Sequence, residues 1–172
     1  MAELTVSGGT HPILKDDYAS DWMGIEVVAL ADGHATIRMA LRQEMLNGFG
    51  MAHGGMIFAF GDTAFALACN PANPDPADEG NITVASGVDI NFLKPAFRGQ
   101  VLTAVANRRA STGRSGLYDI QIYAADPGAA IPTAAPAGTD PAPTVPGELP
   151  TDSVPGELVA EFRGRSRTIS KK

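Results

Sequence analysis

The chain has 172 residues, 44% of them hydrophobic, with a net charge of −6 and one cysteine. That length supports a single domain, 1–172, with a real core, and the acidic balance argues against nucleic acid as a partner. No apolar run reaches the roughly 18 residues of a membrane span and residues 1–10 lack the layout of a signal peptide, so no membrane partner and a cytoplasmic location are expected.

Residues 1–10 read as a loose tail. From His11 to Trp22, polar Lys15, Asp16, Asp17 and Ser20 interleave with Ile13, Leu14, Tyr18 and Trp22, which predicts a short amphipathic helix ended by Gly24. Two strands follow, Ile25–Leu30 and Ala35–Leu41, joined through Asp32-Gly33, a strong hairpin signal. A loop over 42–52 with Asn47-Gly48 at its centre leads into His53-Gly54-Gly55, and from there to Asn70 the chain is almost unbroken apolar helix with one carboxylate, Asp62, near its middle. A helix apolar on every side has to be covered on every side, and a charge inside that cover costs several kcal/mol unless it is paired or protonated.

Pro71–Gly80 is a surface loop by composition. Three further strands are expected: Ile82–Leu93, stopped by Pro95 and with Val88, Ile90 and Phe92 on a buried face; Val101–Arg109; and Gly116–Ala125, reached through a turn at Ser111-Thr112-Gly113. Residues 127–157 hold eight of the thirteen prolines and contain a near-repeat, Val145-Pro146-Gly147-Glu148-Leu149 and Val154-Pro155-Gly156-Glu157-Leu158. This Pro/Ala-rich stretch reads as a flexible insertion in a hairpin connection. A last strand, Leu158–Ile169, puts Arg163, Arg165 and Arg167 on one face and Phe162, Gly164 and Ser166 on the other. The elements add up to an α+β fold in which a curled antiparallel sheet wraps one long helix, with one face left open for a partner chain.

Charge is unevenly spread. Residues 1–93 carry twelve acids and three bases, whereas 94–172 carry ten bases and seven acids, so a local basic patch suited to a small polyanion is plausible. Tandem glycine at a helix start exposes backbone N–H groups at the positive end of the helix dipole, an anion site or oxyanion hole. Asp62 lies eight residues beyond Gly54, about 12 Å along the axis, so the two cannot touch one carbonyl within a chain. They can do so across an antiparallel, twofold-related helix pair; otherwise Asp62 is a buried pairing partner at an interface. Asn47 and His53 are the neighbouring hydrogen-bonding groups, although each also has a plain structural reading as a turn or loop anchor. Three scattered histidines and Cys69 make no zinc pattern, Cys69 in the apolar helix reads as an inert thiol, and no phosphate-binding loop, dinucleotide fingerprint or nucleophile elbow is present.

These residues, together with Gly61-Asp62-Thr63-Ala64-Phe65-Ala66, Ala68-Cys69-Asn70, Val84-Ala85-Ser86-Gly87, Phe92-Leu93-Lys94-Pro95, Leu117-Tyr118-Asp119-Ile120 and Phe162-Arg163-Gly164, closely resemble the hotdog-fold acyl-CoA thioesterases of the PaaI type, the phenylacetyl-CoA thioesterase group. The likeness spans about 12–126 and 158–169, and the proline-rich insertion departs from it. It implies hydrolysis of aromatic acyl-CoA, with Asp62 as nucleophile or general base, Gly54 supplying the N–H that polarises the thioester carbonyl, Asn47 opposite it and His53 accessory. Gly55 and a hydroxyl near Ser86 would border the substrate. Arg109, Arg114, Arg163 and Arg165 are the candidates for the coenzyme A phosphates. The resemblance further implies a homodimer or a homotetramer built as a dimer of dimers, with sites between subunits, and no cofactor or metal besides the substrate's own coenzyme A. A hotdog enoyl-CoA hydratase or dehydratase, and a non-catalytic acyl-CoA binding module, stay open as alternatives.

Overall fold

The computed structural model describes residues 11–76, 80–128 and 154–171. The N-terminal tail and most of the proline-rich insertion, including the first copy of its near-repeat, lie outside the described residues. Six strands form one antiparallel sheet in the order β1-β2-β4-β5-β6-β3, with β1 Glu26–Ala31, β2 His34–Ala40, β3 Asn81–Phe92, β4 Val101–Thr112, β5 Ser115–Ala125 and β6 Glu157–Ser170. Two helices accompany it: α1, Tyr18–Met23, and α2, Gly54–Cys69. The sheet curls round α2, which touches all six strands.

The core is the layer between α2 and the inward-facing residues of the sheet. Phe60 and Phe65 of α2 are buried against Ile37, Leu102, Ile120, Ile122 and Phe162. Close approach of helix to sheet depends on two missing side chains. A Cβ at Gly61 would stand 3.1 Å from both Ile122 and Phe162, and one at Gly164 would stand 2.8 Å from the Phe65 ring. The last strand alternates as its sequence demands: Phe162, Gly164 and Ser166 are buried, Arg163, Arg165 and Arg167 exposed. At the start of that strand, Val154 and Leu158 join Val105 and Tyr123 in a small separate cluster.

Three expectations need correction. The N-terminal segment is not one helix from His11 to Trp22. Pro12–Leu14 makes a 3-10 turn, Asp16 turns the chain at φ 63°, and α1 starts only at Tyr18, capped by Asp17, which accepts from the Ser20 N–H at 3.1 Å. The register this sets buries Ser20 and Met23 and leaves Tyr18 and Trp22 outside, 77% and 52% exposed. Trp22 instead lies under the Arg42 guanidinium, 5.1 Å from ring centre, while Arg42 donates to the carbonyls of Trp22 and Met23 that α1 leaves open.

The β4–β5 turn falls at Gly113-Arg114 and not at Ser111, because the ladder continues to the Thr112–Ser115 pair. Strand β3 is the sheet's outer edge, so Val88 and Ile90 are only half-buried and Phe92 is 53% exposed. As expected, one face of α2 is left open. Ile57, Phe60, Gly61, Ala64, Phe65, Leu67 and Ala68 are buried, but Gly55, Phe58, Ala59, Asp62, Ala66 and Cys69, a stripe along one side, stay at least partly open.

The Gly164–Phe65 contact is directly testable. Gly164→Ala inserts a methyl among three ring carbons within 2.9 Å, and overpacking of this kind costs about 1–3 kcal/mol. The expected result is a lower urea midpoint at unchanged slope; an unaltered midpoint would show that the ring moves freely.

Candidate active site

The loop before α2 is held by its own hydrogen bonds. The Asn47 side-chain oxygen accepts from the N–H groups of Phe49 (2.9 Å) and Met51 (3.2 Å), and the Asn47 N–H donates to the Met51 carbonyl at 2.8 Å. The amide oxygen of Asn47 is thus occupied, and its NH2 group meets no acceptor among the described residues.

Ala52 N–H then donates to the Ala96 carbonyl and His53 N–H to that of Met45, both at 2.8 Å, which fixes where the helix begins. His53 is the N-cap. Its Nδ1 accepts from the Gly55 N–H at 3.0 Å, and its carbonyl takes the N–H groups of Met56 and Ile57. As Nδ1 accepts, the ring proton of neutral His53 sits on Nε2. One donor of the helix start is left over. The Gly54 N–H has no acceptor among the described residues, and it lies at the positive end of sixteen aligned residues.

Asp62 is half-buried on the open stripe of α2, and no hydrogen bond or ion pair reaches it among the described residues. Loss of hydration raises its carboxyl above the ordinary 3.8. Neighbouring Thr63 donates to the Ala59 carbonyl and touches the Ser20 hydroxyl at 3.3 Å, tying α1 to the helix one residue from Asp62. Cys69, two turns further along the same stripe, has its thiol pushed up to about 12, chiefly by burial; it is a buried thiol without nucleophilic character. No group of three or more His, Cys, Asp or Glu gathers as a metal site among the described residues.

Asn47, His53, Gly54 and Gly55 therefore stand together, while Asp62 of the same chain lies about 12 Å down the helix. The other candidates are elsewhere. Ser86 sits at the β3 bulge with its hydroxyl donating to the Arg165 carbonyl at 2.9 Å, six residues, or roughly 20 Å, along the strand from Phe92. Arg163 and Arg109 flank Asp119 at 2.7 and 3.1 Å, Arg165 pairs with Asp89 at 2.7 Å, and Arg114 Nε donates to the Thr168 carbonyl at 2.9 Å. Arg163 and Arg165 share the face of β6 turned away from α2, so the basic patch is interleaved with acids on the sheet's outer side.

What does border Gly54 is a groove of about 350 Å3, lined by Met51, Ala52, Ile57, Phe92, Leu93 and Lys94 among others. The Phe92 ring lies so close that a Cβ at Gly54 would be 3.2 Å from it. Neither Phe92 nor Lys94 stood out as a site residue in the sequence. Both lie in the Phe92-Leu93-Lys94-Pro95 segment that carries part of the family resemblance, at the tip of β3.

The comparisons with known proteins decide the family. Residues 49–131 match the model described as the thioesterase superfamily. The chain is 38% identical over 112 residues to the acyl-coenzyme A thioesterase PaaI of Escherichia coli K12, covering 65% of this chain and 75% of that one.

The chain belongs to the thioesterase superfamily.

Its fold agrees with this: the structure of the E. coli PaaI protein from the phenylacetic acid degradation operon superposes with a TM-score of 0.68 at 31% identity, over 94% of this chain and 91% of that one. A Streptococcus pneumoniae hypothetical thioesterase solved with coenzyme A shares the fold alone, at 18% identity and a TM-score of 0.58 over 86% and 90% of the two chains. This member of the superfamily has the hotdog fold, of class α+β, and is a thioester hydrolase.

Burial of Asp62 has a measurable consequence in the thioesterase. Between the ordinary carboxyl value and the raised one, the folded chain holds a proton that the unfolded chain has released, so stability falls as pH rises through that window. Asp62→Asn carries no charge to desolvate. It is expected to melt at a higher temperature than wild type at pH 7, with the gap closing below pH 3.8. Calorimetry at both pH values checks this, and an equal or lower melting temperature at pH 7 would mean that Asp62 finds a partner in the assembled protein.

Proposed function

We propose that the protein hydrolyses aromatic, phenylacetyl-like acyl-CoA thioesters in a site shared by two copies of the chain. The observation that carries this reading is the pair of unsatisfied groups on α2. A lone N–H at Gly54 and a lone desolvated carboxylate at Asp62 are the oxyanion donor and the attacking or proton-accepting group that thioester cleavage needs. Their separation supports a twofold arrangement in which Asp62 of one α2 faces the Gly54 end of the other. The open stripe gives such a partner a surface to cover, in a homodimer or in a tetramer made of two.

In that arrangement the thioester carbonyl accepts from the Gly54 N–H, and charge developing on its oxygen falls on the helix dipole. Asp62 of the second copy then follows one of two routes. As nucleophile, a carboxylate oxygen bonds to the carbonyl carbon, the C–S bond breaks, coenzyme A leaves as thiolate and takes a proton from solvent, and water cleaves the mixed anhydride. As general base, Asp62 takes a proton from water while the water oxygen bonds to the carbonyl carbon and the thiolate departs. In this reading the Asn47 NH2 group, which has no acceptor among the described residues, holds the water or the carboxylate, and His53 is accessory. Support for an aromatic acyl group comes from the likeness to PaaI, a protein of the phenylacetic acid degradation operon.

Asp62→Asn is expected to assemble normally and to release coenzyme A from phenylacetyl-CoA at background rate in a thiol-reagent assay; substantial turnover would refute the assignment. Single turnover in 18O-water detects the nucleophilic route: label in the Asp62 carboxylate, which arises when water cleaves the anhydride at its aspartyl carbonyl, forms by that route alone. The donor can be isolated with two variants. Gly54→Pro suits the first helical position and follows a residue with extended backbone, so it removes the N–H, while Gly54→Ala adds a comparable Cβ against Phe92 and keeps it. The proline variant is expected to turn over about 10²–10³-fold more slowly than the alanine variant, and equal rates would remove Gly54 from the mechanism.

A further inference from the structure

We infer that the groove beside Gly54 carries the pantetheine arm of the thioester substrate and that Lys94 meets the phosphate at the far end of that arm. The inference rests on the acyl-CoA reading above and adds a residue to it. The groove floor is apolar and closed: Ala52, Ile57 and Ala96 are all at most 7% exposed. Its walls are Phe92 and Leu93, each about half exposed, and Gly54 lines the same groove, so a slender chain lying in it passes the start of the helix.

Among the described residues, one charged side chain lines this groove, Lys94, with 53% of its side chain in solvent. A thioester has two arms. The acyl arm of an aromatic substrate ends in carbon and gains nothing from an ammonium group, whereas the pantetheine arm ends in a phosphate. Charge complementarity therefore assigns this groove to the pantetheine side and leaves the acyl group on the other side of the thioester carbonyl.

The competing cations are otherwise engaged. Arg109 and Arg163 are drawn to Asp119 and Arg165 to Asp89, on strands where they face away from α2. Lys94 has a partner too, Glu157 at 2.8 Å, but both side chains are more than half exposed. Exposed pairs of this kind are weak, and a phosphate carrying more than one charge displaces the carboxylate readily.

The test uses three phenylacetyl thioesters: of coenzyme A, of 4′-phosphopantetheine and of pantetheine without phosphate. Lys94→Ala is expected to raise KM about tenfold for the first two and to leave the third within twofold. Glu157→Gln, which frees the lysine, is expected to leave KM for the coenzyme A thioester unchanged or lower it. An equal effect of Lys94→Ala on all three substrates would overturn the inference, and so would a Glu157→Gln variant that behaves like Lys94→Ala, because the lysine would then act only through its ion pair. Calorimetric titration of coenzyme A and of pantetheine into wild type and Lys94→Ala reads the same contact without turnover. Wild type that hydrolyses none of the thioesters would therefore sink the proposed reaction while the Lys94 contact is judged separately, standing if the variant weakens coenzyme A alone and falling if it weakens both or neither.

Discussion

The structure turns on a carboxylate that is half-buried and, among the described residues, unpaired. Asp62 sits on a helix whose other sides are packed into the sheet, and no described residue neutralises it. Taking a charge partly out of water is costly, and the fold keeps that cost by leaving one stripe of α2 uncovered and small, with Gly55, Ala59 and Ala66 around the acid. A carboxylate held in this way is more basic than one in water, which suits it to accept a proton or to attack a carbonyl.

The helix start is arranged with the same economy of partners. His53 satisfies the Gly55 N–H, and its carbonyl satisfies the next turn. Met45 and Ala96, from the loops on either side, hold the backbone just before it. Every neighbour is committed except the Gly54 N–H, so the direction of that one donor is set by bonds around it and not by any bond it makes. Preorganisation of this sort is what makes an oxyanion donor effective.

Much of this was legible in the sequence because it is local. Asp32-Gly33 makes the first hairpin, with Gly33 at φ 72° and no room for a Cβ beside Arg108. The alternation in β6 names its own buried face, and the run from His53 to Asn70 gives the helix within a residue at each end. The separation of Gly54 from Asp62 follows from helix geometry alone. What could not be read depended on which elements meet. Phe92 looks buried by alternation but lies at a sheet edge over Gly54. Trp22 looks like an apolar anchor but is turned outward by the Asp17 cap and stacked on Arg42, twenty residues away. The arginines of the later strands form a patch, as their spacing suggests, yet the acids between them come from strands that only the sheet order brings alongside. The resemblance named Gly54 as the donor, and the His53 side chain, by taking the Gly55 N–H, leaves that of Gly54 open.

The shared site proposed for Gly54 and Asp62 has a genetic corollary. A site divided between chains divides the lesion as well: a subunit lacking its carboxylate and a subunit lacking its N–H are each dead as a homodimer, yet their hybrid rebuilds one intact site out of two. Two null alleles of this gene expressed together would complement each other, and a cell mixing wild-type and defective subunits would lose activity in proportion to dose without one copy poisoning the other.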